Sequence, residues 1–268
     1  MTGDPAAALA ALAAATGAAA ALGLSLRWHW WRPRRPGVPI LMYHQVGPHR
    51  PGSRLNRWRV TEADFERHLA LLARRGYRGI ALRDLLDDPA GGGGRRAVIT
   101  FDDGFDGVRT LALPRLARLG FSSTVFAVAG KPGGTNDWDG EVPGDRLLDG
   151  AGLRELASAG MEIGSHGLRH RALPGLPADE VRRETVESRA RLEDLLGAPV
   201  TTFCYPYGAF DDRSVEAVRE AGYRAATVIR SGIPPDLSDP FRLRRVPVRG
   251  TDPLLDLSLA LTRGRSKF

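Results

Sequence analysis

Ile99-Thr100-Phe101-Asp102-Asp103-Gly104 puts two carboxylates side by side at the end of an apolar run. Two adjacent ionised aspartates repel each other, and a nearby cation lets both stay charged. A metal ion is the simplest such cation; the competing use is that one aspartate caps a helix starting near Asp106. A second stretch bears on the choice. Gly164-Ser165-His166-Gly167-Leu168-Arg169-His170 also closes an apolar run and holds two of the six histidines in the chain. Histidines four apart converge on one ion when the turn between them is helical, because i and i+4 side chains share a face. Alone, the pair could equally be two unrelated surface histidines. Joined to the aspartates it completes a set of one carboxylate and two imidazoles, which suits a divalent ion with positions open for water and substrate. The remaining aspartate is then free to act as a base.

These groups need a scaffold that brings strand ends together. Short apolar runs at 40–43, 78–81, 97–101, 123–128, 162–164, 201–205, 225–229 and 242–246 read as strands. Between them, amphipathic patterns at 62–75 (with Thr61 as N-cap), 108–119, 152–159, 178–196 and 212–221 read as helices. Repeated strand–helix–strand order implies a parallel sheet, and 268 residues favour a closed barrel over an open one. The expected fold is α/β, a distorted (β/α)7-type barrel in one domain over 38–268. In such folds functional groups gather at the carboxyl ends of strands, where both motifs lie. The glycine run 91–94 reads as a surface loop, since no Lys-Ser/Thr follows it to cradle a phosphate.

The formal charge of +7 and isoelectric point near 10.2 raise the question of nucleic acid. No basic stripe with interleaved aromatics occurs, and many arginines sit singly on helical faces, so an anionic membrane or envelope polymer is the better partner. Cys204 is the single cysteine and can form no internal disulfide. Residues 1–37 form a separate segment: 5–26 is uncharged and alanine-rich, and Arg27, Trp28, Trp30, Trp31, Arg32, Arg34 and Arg35 follow it. The length and flanking residues fit a membrane anchor. Asp4 stands where a secretory signal would carry positive charge.

At its motifs the chain resembles the polysaccharide deacetylases of carbohydrate esterase family 4, the NodB-homology domain, over about residues 38 to 250. Thr100-Phe101-Asp102-Asp103-Gly104 resembles the family's first motif, His166 to His170 its second, and Phe203-Cys204-Tyr205-Pro206-Tyr207-Gly208 its third. The resemblance implies Asp102 as catalytic base and Asp103, His166 and His170 as metal ligands. It implies that the Tyr207 amide faces the oxyanion and that Pro206 and Tyr207 line the acetyl side. Zinc is the default ion, with cobalt, nickel or iron also accepted by this donor set.

Three departures stand out. Gly167 replaces the family's Ser or Thr, Cys204 replaces an arginine that orients the base, and no histidine follows His170 to supply the late Leu-x-His acid. A subgroup similar to poly-N-acetylglucosamine deacetylases carries an early Met-Tyr-His segment, here Met42-Tyr43-His44, whose histidine would take that role. In a closed barrel the first and last strands are neighbours, so His44 can reach the same space. An adjacent carboxylate such as Asp102 is expected to keep it charged. Trp138 lies in a long loop and reads either as a platform for a sugar ring or as loop packing. The implied activity is removal of N-acetyl groups from an envelope or exopolysaccharide. Rival readings are an O-acetyl ester hydrolase and a non-catalytic glycan binder. Arginines after the anchor would keep the domain cytoplasmic by the positive-inside rule, whereas a polysaccharide substrate places it outside.

Overall fold

The structure is a computed structural model that describes residues 5–28, 31–91, 93–140 and 143–265. Asp4, Trp30 and Gly92, which enter the sequence reading, lie outside them. Ten strands alternate with helices: β1 Ile40–Tyr43, β2 Gln45–Val46, β3 Arg59–Val60, β4 Tyr77–Ile80, β5 Arg95–Phe101, β6 Thr124–Ala127, β7 Glu162–Ser165, β8 Thr202–Cys204, β9 Ala225–Ser231 and β10 Leu243–Pro247. The sheet runs β1-β10-β9-β8-β7-β6-β5, and β1 also pairs with β5, so seven parallel strands close into a ring. β4 lies against the first half of β5, Tyr77 opposite Arg95 through Ile80 opposite Val98. β2 and β3 form a separate parallel ribbon.

Period-two alternation along the strands makes two apolar layers. Ile40, Val98, Phe126, Cys204, Ala225 and Leu243 form an inner cluster together with Leu82 and Leu85. Leu41, Ile99, Phe101, Val125, Phe203, Ala226 and Val246 face outward and pack under the helices. All eight expected strands are present, with ends shifted by one or two residues. The helices are α1 Pro5–Trp28, α2 Glu62–Arg74, α3 Leu82–Asp87, α4 Leu113–Arg118, α5 Gly150–Ser158, α6 Ala178–Arg182, α7 Ser188–Leu196, α8 Asp212–Glu220 and α9 Leu254–Arg263. Thr61 caps α2 as expected, its hydroxyl accepting from the Asp64 amide. The single helix expected over 178–196 is interrupted: a π turn, Arg183–Glu187, joins α6 to α7. Another π turn, Val108–Ala112, precedes α4. α9 was not anticipated; its Leu257, Ala260 and Leu261 join the outer core.

α1 is long and apolar enough to cross a membrane by length and composition, with its 5–25 stretch at a mean hydropathy of 1.9 and unburied.

Candidate active site

Asp102 and Asp103 follow β5, and neither caps a helix, for the turn at Val108 has Gly107 before it and no side-chain cap. Asp103 has φ +72, a left-handed conformation costly for a residue with a Cβ, and the two carboxylates meet different partners. Asp102 meets Arg245, the fully buried arginine of β10, whose Nη1 and Nη2 donate to Oδ1 and Oδ2 at 2.6 and 2.7 Å. The same guanidinium donates to the Val228 carbonyl and to Thr100 Oγ1, which fixes the fork in place. Burial works against ionisation of Asp102, but Arg245, with His44 and His166 nearby, outweighs it and holds the carboxyl below its ordinary range. The orienting arginine thus comes from a different strand than the family pattern suggests. Arg245 Nη2 lies 3.2 Å from Cys204 Sγ, in the space that the short Cys204 side chain leaves open.

Asp103 meets the histidines. Its Oδ1 lies 3.4 Å from His166 Nε2 and 3.3 Å from His170 Nε2, and all three side chains are buried. His166 Nδ1 is 2.7 Å from the Cys204 carbonyl, which can only accept, so Nδ1 carries the proton and Nε2 presents its lone pair to Asp103. A lone pair facing a carboxylate oxygen calls for a cation between them, either a proton or a metal ion. Burial alone would depress His166, but Cys204 and Asp103 raise it well above its usual value. For Asp103, burial is outweighed by its pairing with the His166 and His170 imidazoles, and the carboxyl stays well below its usual range. Asp102, His166 and Cys204 form a second possible donor group. It is the weaker one, because Arg245 already occupies both Asp102 oxygens.

The expectation that His166 and His170 converge through a helical turn is not met. Residues 166–170 form a bend in which Gly167 has φ +79 and His170 φ +60. Glu184, buried in the π turn, holds this bend: its Oε2 accepts from the Leu168 and Arg169 amides at 2.8 and 3.0 Å. A Cβ on Gly167 would sit 2.7 Å from that oxygen. Glycine is therefore required here, and a carboxylate does the holding that a hydroxyl would do elsewhere. Asp103, His170 and Tyr207 are the non-glycine residues with positive φ among the described residues, and all three line the same cleft. Strain concentrated in this way marks functional sites.

The cleft has a volume of about 200 Å³. His44 lines it at the end of β1, its ring 4.5 Å from that of Trp58. Among the described residues no carboxylate hydrogen-bonds to His44: Nδ1 is buried without a partner, and burial, with Arg245 and His166 nearby, lowers its pKa more than Asp102 and Asp103 raise it. That corrects the expectation of an adjacent acid holding it charged. Trp138 stacks on His170 at 4.4 Å and 26°, so one indole face is covered by a candidate ligand while the residue still lines the cleft. Tyr207 is exposed with its ring 4.5 Å from His170, and Pro206 before it in the chain is buried. Arg245, Glu184 and Trp58 escaped the sequence reading. Only Arg245 left a signal, as the unexplained basic residue in a strand otherwise apolar on its inner face.

A closed parallel barrel with a carboxylate–imidazole cluster and a clamped aspartate at its carboxyl mouth defines a hydrolase-type site. The polysaccharide deacetylase family model matches residues 90–226, slightly more than half of the chain. The chain belongs to the polysaccharide deacetylase family and is a hydrolase of that class. The matched stretch contains both aspartates, both histidines and Tyr207, and stops short of Arg245 on one side and His44 on the other. YxkH of Bacillus subtilis (strain 168), assigned to the polysaccharide deacetylases, is 26% identical over 223 residues, covering 82% of this chain and 74% of its own. Among solved structures, the Streptococcus pyogenes deacetylase PplD in complex with acetate superposes with a TM-score of 0.72 at 19% identity, covering 85% of this chain and 99% of its own. IcaB from Ammonifex degensii gives 0.70 at 24%, covering 81% and 94%. These likenesses establish the fold.

Proposed function

We propose that this chain is a divalent-metal-dependent deacetylase that removes N-acetyl groups from an amino-sugar polysaccharide of the cell envelope or an exopolysaccharide. The convergence of Asp103, His166 and His170 beside an ionised, arginine-clamped Asp102 supports it most. A pure glycan binder has no use for a base held in that state. The donor set fits a metal, because three buried ligand atoms within 4.8 Å of one another present negative charge and lone pairs to one point. When bound there, zinc or a similar ion supplies Lewis-acid polarisation of the acetyl carbonyl and a lowered pKa for the attacking water. Asp102 takes the proton of that water, its lone pairs aimed by Arg245. The amide of Tyr207, a residue that lines the cleft, donates to the developing oxyanion. His44 delivers a proton to the leaving nitrogen. Protonation matters more for an amine than for an alkoxide, which favours N-acetyl over O-acetyl substrates. Trp138 and Tyr207 present aromatic surface to a sugar ring, and α1 supports an envelope location.

Acetate release from N-acetylglucosamine oligomers and from acetylated xylan, each with chelator and with zinc restored, tests the proposal. Release from the amide substrate that chelator abolishes and zinc restores is expected. Release from xylan alone would replace the N-acetyl reading, and release from neither would favour a binder.

A further inference from the structure

The chain enters the barrel along a fixed track. The Arg35 amide donates to the Thr262 carbonyl at 2.7 Å, and Arg263 Nε donates to the Arg32 carbonyl at 2.9 Å. Gly37 passes so close to the loop after β9 that a Cβ there would lie 1.9 Å from the Pro234 oxygen. Residues 32–37 are therefore tied to the end of α9 and to that loop. α1 ends at Trp28, four residues before the first tie, and four extended residues reach at most about 14 Å. Whatever surface receives α1 must lie that close to this side of the barrel. Trp31, in the gap, is 59% exposed, as an aromatic at a membrane interface would be.

This side of the barrel carries a pocket of about 560 Å³ lined by six arginines and two aspartates. Arg242 is paired with Asp212 and Asp239, and Asp236 accepts from the amide and hydroxyl of Ser238. Arg35, Arg230, Arg244 and Arg265 are exposed there with no acidic partner among the described residues. The pocket adjoins the cleft through β9: Ile229 points into the cleft, whereas Val228 and Arg230 line the pocket on the other side of the strand. Unneutralised guanidinium forks around a cavity of this size match the oxygen geometry of phosphate.

We propose that this pocket docks the anionic phospholipid headgroups of the bilayer that receives α1, holding the mouth of the catalytic cleft beside the membrane surface. The proposal rests on the reading of α1 as a membrane segment. The ties at Arg32 and Arg35 fix which face of the barrel meets the lipid, and the free arginines give that face an affinity for negative charge.

To test it, the full-length protein is placed in nanodiscs of phosphatidylcholine alone or with phosphatidylglycerol, and amide exchange over residues 230–244 is followed by mass spectrometry. Exchange in the anionic discs is expected to slow by roughly fivefold or more, the factor that one arginine at an anionic surface contributes. The double variant Arg230→Ser, Arg244→Ser should return exchange to the phosphatidylcholine rate while acetate release from soluble oligomers stays unchanged. Equal exchange in both discs overturns the docking with the anchor intact. A chain retained by neither disc overturns the anchor, and the docking with it. If inorganic phosphate added to phosphatidylcholine discs protects the loop equally, the pocket binds a soluble anion and lipid docking is overturned.

Discussion

Arg245 is the residue on which the ionisation of Asp102 depends. Replacing it with Met leaves a buried carboxylate without its partner, which costs about 3–5 kcal/mol of stability. Arg245→Met should therefore melt markedly earlier in thermal denaturation. It should also move the acid limb of the pH–rate profile to higher pH. Burial raises the Asp102 pKa, while Arg245 and, more weakly, His44 and His166 lower it, so removing Arg245 takes away the main opposition to burial and the base protonates sooner. Arg245→Lys should restore little, because an ammonium cannot make the two-pronged contact. An unshifted acid limb in a folded Arg245→Met protein would remove Asp102 from the role of base. His44 carries the opposite requirement, since it must be protonated to act. Burial lowers its pKa, so the alkaline limb should fall below the ordinary imidazole value. His44→Ala should slow amide turnover by roughly a hundred- to ten-thousand-fold with metal content unchanged, and slow ester turnover less. Wild-type turnover in that variant would assign the proton to another donor.

Among the elements, the bend after β7 and the π turn behind it act as one unit. A π turn places Glu184 one residue out of the regular helical sequence, and such insertions recur at functional sites. The bend would otherwise leave the Leu168 amide buried without an acceptor, a cost of about 1–3 kcal/mol, and would take the partner from the part-buried Arg169 amide. Gly167→Ser would give this chain the residue type common in its family, yet here it should harm the protein. Its Cβ would meet Glu184 at 2.7 Å, and φ at this position is +79. The expected result is a loss of about 1–3 kcal/mol in stability, together with weaker zinc retention in equilibrium dialysis. A Gly167→Ser protein with unchanged stability and metal content would mean that the bend is more adaptable than these contacts indicate.

On the scale of the whole molecule, the ties at Arg32 and Arg35 divide the N-terminal segment into two parts with different consequences. Removing residues 1–30 takes away α1 and leaves both hydrogen bonds to the end of α9 in place. Removing residues 1–35 deletes both bonds and exposes the Thr262 carbonyl. The shorter truncation should give a soluble, active enzyme with unchanged melting. The longer one should lose roughly 1–3 kcal/mol, since each such bond contributes about 0.5–1.5 kcal/mol, and that corresponds to a melting point a few degrees lower. Identical melting in calorimetry would show that residues 31–35 are linker and nothing more.

The strands, their parallel order and the two acid–histidine motifs were legible in the sequence because each is a local feature. Apolar runs report burial with period two, and a polar motif directly after such a run sits at a strand end whatever surrounds it. Closure of the barrel was legible too, and with it the nearness of β1 to β10 that brings His44 to the site. Arg245 was different: 143 residues separate it from Asp102, and although a basic residue in an apolar strand is a signal, nothing within Leu243-Arg244-Arg245-Val246 says which group an inward arginine would meet. The register of β10 in the closed ring decides that, turning Arg245 to the interior and Arg244 to solvent. Glu184 was hidden for a similar reason, because a helical period of 3.6 does not foresee a π turn. The chemistry could be read from residue types at strand ends, whereas the groups that orient it depend on which distant side chains the closed barrel forces into one buried space.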